Sequence, residues 1–142
     1  TCDLAIASNS SKFATPGVHI GLFCSTPMVA VSRNIHRKQT MEMLLMGETI
    51  TAKKALEIGL ITRIVPKEKL LGEVREMAHK LAQFAPFVPR TIKAIVNFGM
   101  ESSLAGALMF EKYAQGALVQ TDDKQEGINA FLEKRPPKFK GK

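Results

Sequence analysis

The apolar positions fall first into short runs and then into helical stripes. Residues 3–8, DLAIAS, form a short apolar run that predicts a buried strand. Asn9-Ser10-Ser11 predicts a turn, and Lys12 to Thr15 a second short strand that Pro16-Gly17 ends. Val18 to Ser25 is apolar but irregular. Thr26-Pro27 has the form of a helix start, a hydroxyl cap before a proline at the first helical position, and predicts a short helix through Arg33. Met41, Leu44 and Leu45 recur at helical spacing inside a helix expected over 39–46, which Gly47 ends. Thr51 caps a helix expected over 52–58, with Gly59 in the place favoured for a left-handed C-cap. Leu60 to Val65 returns to strand character, and Pro66 stops it.

The second half is helical by pattern. Over 67–84, Leu70, Leu71, Val74, Met77, Ala78 and Leu81 share one face, with Glu73, Arg75, Glu76 and Lys80 around the rest. Pro86 and Pro89 are expected to flank a loop. Helices are then expected over 91–100 and 104–120, and a last one from Asp122 or Asp123 to Glu133, beyond which Pro136-Pro137 forbids helix. Two or three short strands followed by helices make a sheet too small to stand alone. Its partners are expected upstream of Thr1 or on another subunit.

Composition narrows this picture only in part. No apolar run reaches the ~18 residues of a membrane span. Cys2 and Cys24 are too few and too far apart for a disulfide-stapled scaffold, so free thiols are the simpler reading. A chain that opens on Thr1 is expected to be processed, truncated or partial, with any targeting segment upstream. The net charge of +7 is uneven. Residues 133–142, EKRPPKFKGK, hold five basic residues and one acid. Such a tail either attracts a polyanion or is a solvated terminus that binds nothing.

Most site chemistry is absent from the sequence. Glu76 and His79 have the Glu-x-x-His spacing of a di-iron helix, but the second copy is missing, and His79 reads as a surface residue. No Cys-x-x-Cys pair, nucleophile elbow, P-loop or dinucleotide fingerprint occurs, and no metal site is expected. Cys24 precedes a helix start, a place where a thiol can be reactive, and His19 is the only base nearby in sequence. A buried structural cysteine is the better reading. The run Cys24-Ser25-Thr26-Pro27 places unpaired backbone N–H groups and the positive end of a helix dipole together, either as an ordinary cap or as a place for an anion or polarised carbonyl.

Three segments carry a resemblance. They are Cys2-Asp3, Ala7-Ser8, Phe13-x-x-Pro16 and Gly21; MEMLLMGETITAKKALEIGLITRIVP over 41–66; and Asp122-Asp123, Glu126-Gly127 and AFLEKRPPKF over 130–139. In order and spacing the chain resembles the C-terminal half of the crotonase superfamily, the enoyl-CoA hydratase/isomerase family. The stretch FATPGVxxGLFCSTP is similar to mitochondrial-type members. The resemblance implies an α/β fold, a crotonase-type spiral of ββα turns, with this chain as its mostly helical half. Residues 1–65 would complete the spiral core, and 66–142 would form a helical trimerisation and CoA-binding region. It further implies a homotrimer or dimer of trimers, an acyl-CoA ligand, no cofactor beyond the CoA thioester itself, fatty-acid metabolism and a mitochondrial location. It also implies roughly 100 or more residues before Cys2, carrying the glycine loop that holds the thioester oxygen and one of two hydratase glutamates.

The resemblance places the second hydratase glutamate after the proline of F-x-x-P, where this chain has Gly17. Hydration needs a group that delivers a proton or activates water, and between Asp3 and Glu42 the chain has no acid. Two-glutamate hydration is therefore not expected. Gly17, Phe23, Cys24 and Ser25 are the expected acyl-pocket residues. The resemblance implies CoA-nucleotide contacts at Phe131 and Lys134, an aromatic ring and a cation expected on one helical face. The alternatives are a non-catalytic accessory subunit, which Gly17 favours, and an RNA-binding member. One Tyr and no Trp give the last little of the stacking surface that single strands use, so nucleic acid is not an expected partner.

Overall fold

The computed structural model describes residues 2–142. They divide into two compact units, Thr1–Arg75 and Glu76–Lys142.

The first unit holds the short strands. Strand β1 (Ile6–Ser8) pairs in parallel with β4 (Arg63–Val65), and β2 (Lys12–Phe13) pairs antiparallel with β3 (Ile50–Thr51). Strand β3 has no run of its own in the sequence; it exists because Phe13 and Lys12 meet Ile50 and Thr51 in register. A five-residue 3-10 turn, Pro16–Ile20, follows β2 where irregular chain is expected. Helices α1 (Ser25–Asn34), α2 (Arg37–Met46) and α3 (Ala52–Glu57) complete the unit. Helix α1 begins two residues before Pro27, so Cys24 and not Thr26 stands at the cap; the proline falls in the first turn, where its missing N–H has no helical partner to lose.

Two glycines stop helices as the pattern predicts. Gly47 closes α2 at φ +65°, and Gly59 follows α3 at φ +79°, both in the left-handed region. Thr51 caps α3 by accepting the Lys54 N–H at 3.2 Å. The core is two small clusters. Ala7, Ala52, Ala55 and Ile61 form one, and Val31, Ile35 and Met43 the other; Ile50 and Leu60 pack on both.

Helix α4 (Leu70–Ala82) is shorter than the stripe implies, because Lys67–Lys69 are wound as a 3-10 turn. Its apolar face exists but is not buried: Leu71, Val74 and Leu81 are all exposed. An amphipathic stripe buries only against a matching surface, and residues 2–142 supply none there. The second unit is α5 (Phe87–Glu101), α6 (Leu104–Val119) and α7 (Asp122–Leu132). The loop expected between the two prolines is instead the start of α5. Pro86 is its cap and Pro89 lies in its first turn, where no N–H is required. Ser103 caps α6 through Gly106 N–H, and Thr121 caps α7 through Lys124 N–H, each at 3.2 Å. Helices α5 and α6 pack on each other, with the Phe98 and Phe110 ring centres 4.8 Å apart.

Candidate functional site

The expected pocket residues gather in the first unit, around the turn that follows β2. Thr15 is buried and donates its hydroxyl to the Met43 carbonyl at 2.7 Å, fixing where the turn starts. Gly21, at φ +72°, ends the 3-10 turn and sends the chain back on itself. Leu22 N–H then donates to the Gly17 carbonyl at 3.0 Å, and Gly17 N–H donates to Cys24 Sγ at 3.2 Å. The result is a closed loop in which Gly17 faces the backbone of Phe23 and Cys24.

That closure leaves no room for a side chain at residue 17. A Cβ there would lie 2.8 Å from the Phe23 carbonyl carbon and 2.9 Å from the Cys24 nitrogen. Glycine at this position is thus required by close backbone approach. Phe23 is 63% exposed, and Ser25 opens α1. Cys24 is half-buried, and its sulfur accepts a backbone N–H. His19 does not serve it: the His19 Nε2 lies 3.3 Å from the Gly47 carbonyl, packed against a residue where a Cβ would stand 2.8 Å from that nitrogen. The loop offers apolar surface, a thiol and the N–H groups at the start of α1, and the sequence from Leu4 to Met41 contains no carboxylate. Such a surface can shape an apolar chain but holds no carboxylic proton donor of its own.

The second unit carries Phe131 and Lys134. Phe131 lies on the last turn of α7 and is 83% exposed. Lys134 is not on the helix, contrary to its expected place on the same face. It is the second residue beyond α7 and adopts φ +53°, the only non-glycine with positive φ among the described residues. Its N–H donates to the Phe131 carbonyl at 3.2 Å, and Arg135 N–H donates to the Ala130 carbonyl at 3.0 Å. These two bonds make a Schellman ending, in which the left-handed position is usually glycine.

The basic tail is not a solvated end. Arg135 forks onto Glu126, Nη1 to Oε1 at 2.6 Å and Nη2 to Oε2 at 3.0 Å, and also bonds Glu133 through Nε. Glu126 Oε1 accepts the Lys138 N–H at 2.7 Å. Buried Asp123 accepts the N–H groups of Lys140 and Gly141 at 2.6 and 2.7 Å, and donates its own N–H to the Lys142 carbonyl at 3.1 Å. The Arg135 hydrogen bonds, then that from Lys138 N–H, pull the Glu126 carboxyl down to about 2. The hydrogen bonds to Glu126 and then Glu133 raise the Arg135 pKa. This strap was not read from the sequence. Its signal was Asp122-Asp123 and Glu126 ahead of a cationic tail with two prolines, a stretch that cannot fold as helix and finds carboxylates nearby.

With this geometry in hand, similarity to known proteins is specific. The enoyl-CoA hydratase/isomerase family pattern matches residues 1–142. The chain belongs to the enoyl-CoA hydratase/isomerase family. It is 44% identical over 137 residues to rat enoyl-CoA hydratase domain-containing protein 3, mitochondrial, covering 96% of this chain and 46% of that protein. The crystal structure of the human protein of that name superposes with a TM-score of 0.90 at 43% identity, over 97% of this chain and 55% of the other. An enoyl-CoA hydratase from Mycobacterium smegmatis superposes with a TM-score of 0.92 at 36% identity, over 97% of this chain and 54% of that one. The chain thus spans about half the length of the relatives it matches. Its fold is that of the crotonase superfamily, represented here by the mostly helical half. No described helix is long and apolar enough to cross a membrane.

Proposed function

We propose that this chain is the CoA-binding, C-terminal half of a crotonase-family protein that handles acyl-CoA thioesters without two-glutamate hydration. The observation that carries the reading is the pairing at the end of α7: a Phe131 ring left 83% exposed and, three residues on, a lysine kept in a left-handed conformation. An exposed aromatic ring suits an adenine face, and an ammonium suits a phosphate. The expected acyl-pocket residues are Gly17, Phe23, Cys24 and Ser25. Membership of the family supports an acyl-CoA ligand. The name of the rat relative supports a mitochondrial location, and an acyl-CoA ligand is what a place in lipid metabolism would require. Exposed apolar residues along α6, among them Leu104, Leu108, Met109 and Tyr113, support self-association as a trimer or dimer of trimers.

The test pairs CoA binding with turnover of crotonyl-CoA in the full natural protein. CoA binds, Phe131→Ala and Lys134→Ala each weaken it by roughly tenfold, and hydration is undetectable. Strong hydration would overturn the reading of Gly17, and unchanged CoA affinity in both variants would overturn the nucleotide site.

A second reading is a non-catalytic accessory subunit. The filled space beside Gly17 favours it specifically. It differs in one outcome: CoA binds but no acyl-CoA thioester of any chain length is isomerised, hydrolysed or decarboxylated.

A further inference from the structure

Lysine in a left-handed conformation needs a cause. The bond pattern at the end of α7 accepts glycine without strain, whereas a side chain there brings Cβ close to a backbone oxygen. Lys134 nevertheless sits at φ +53°. A strained residue persists where its surroundings over-determine it. Here the surroundings are two side chains. Glu126, on α7, receives both arms of the Arg135 guanidinium and the Lys138 N–H. Arg135 follows Lys134 directly, and its own N–H bonds the Ala130 carbonyl. The chain after the helix is therefore tied to one carboxylate at residues 135 and 138. Lys134 is the single residue between that tie and the helix cap, Glu133. Unwinding Lys134 to an extended conformation would carry Arg135 away from both its fork and its carbonyl bond.

We propose that Glu126 and Arg135 are positioning residues that hold Lys134 in its left-handed conformation so that its ammonium is set in place for a nucleotide phosphate of CoA. The inference rests on the nucleotide-site reading above and deepens it. It separates two roles among the cations of the tail. Arg135 is engaged by Glu126 and Glu133, and Lys134 is the cation offered to the phosphate. A bidentate guanidinium fork fixes direction in a way an ammonium cannot, so Arg135→Lys would retain the charge and lose the placement.

The test is a double-mutant cycle on CoA affinity in the full natural protein, with Glu126→Gln, Lys134→Ala and the pair together. Lys134→Ala weakens CoA by roughly tenfold. Glu126→Gln weakens it several-fold, and adding it to Lys134→Ala costs nothing further, because its effect passes through the lysine. The coupling between the Lys134 amide and α protons reports the backbone angle directly and shifts in Glu126→Gln. A Glu126→Gln penalty that persists without the lysine, or no penalty at all, overturns the positioning role. If Glu126→Gln does not fold, Arg135→Lys enters the same cycle with the same expected result. Lys134→Ala with unchanged CoA affinity is a different failure: it overturns the nucleotide site itself and leaves the φ-sensitive coupling as found.

Discussion

Gly17 and Lys134 are residues whose backbones say more than their side-chain types. At Gly17 the constraint is space. Ala in its place must move the Phe23–Cys24 backbone, and Gly17→Ala should lower the stability of the protein by about 1–3 kcal/mol, the range for forcing atoms into a packed site. Urea unfolding measures this, and an unchanged midpoint would contradict the close approach. At Lys134 the constraint is angle. Lys134→Gly should raise stability by about 1 kcal/mol while weakening CoA, a trade that a purely structural residue would not make. The sequence disclosed the first position through its neighbours, since F-x-x-P-G departs visibly from F-x-x-P-E. It disclosed nothing of the second, because a left-handed lysine has no compositional mark.

Among the elements, caps were the most legible. Thr51 and Gly59 bracket α3 as the pattern predicts, and Gly47 closes α2. Thr51→Ala should cost about 1 kcal/mol, read from thermal or urea unfolding. Two prolines depart from the pattern for one reason. Pro27 and Pro89 lie in first turns, where a missing N–H is harmless, so neither marks the boundary its presence suggests. The strap across α7 escaped prediction because it pairs side chains with backbone groups up to 18 residues away, beyond any local periodicity. It carries an acid-sensitive contact. The Glu126 carboxyl titrates at about 2 in the folded chain against an ordinary 4.5. Proton uptake therefore favours the released tail, so the contact is at full strength above pH 4.5 and is lost as pH falls towards 2. Hydrogen exchange at the Lys138 amide should accelerate over that window in wild type beyond the intrinsic pH effect, and the excess should be absent in Glu126→Gln.

At the scale of the whole molecule, the described residues leave many large apolar side chains exposed around two small cores. Leu22 and Phe23 in the first unit and Tyr113, Phe131 and Leu132 in the second are all more than 60% exposed. Surfaces of this kind seek partners. The 142-residue chain by itself should sediment as a species heavier than 15.6 kDa, and Leu108→Glu with Met109→Glu on α6 should shift it towards the monomer. The fold class was legible because the family segments span both halves of the chain. The exposure of the apolar face of α4 was not, because a helical stripe specifies a face without specifying what covers it.

The closed loop at Gly17 also has an evolutionary consequence. A single base change turns any glycine codon into one for an acid, but the bend at 22–24 occupies the volume that the acid's first carbon needs. The bend must be rebuilt first or at the same time. An acid that arrives alone at that position therefore carries a folding cost, and its retention depends on a second change in the bend.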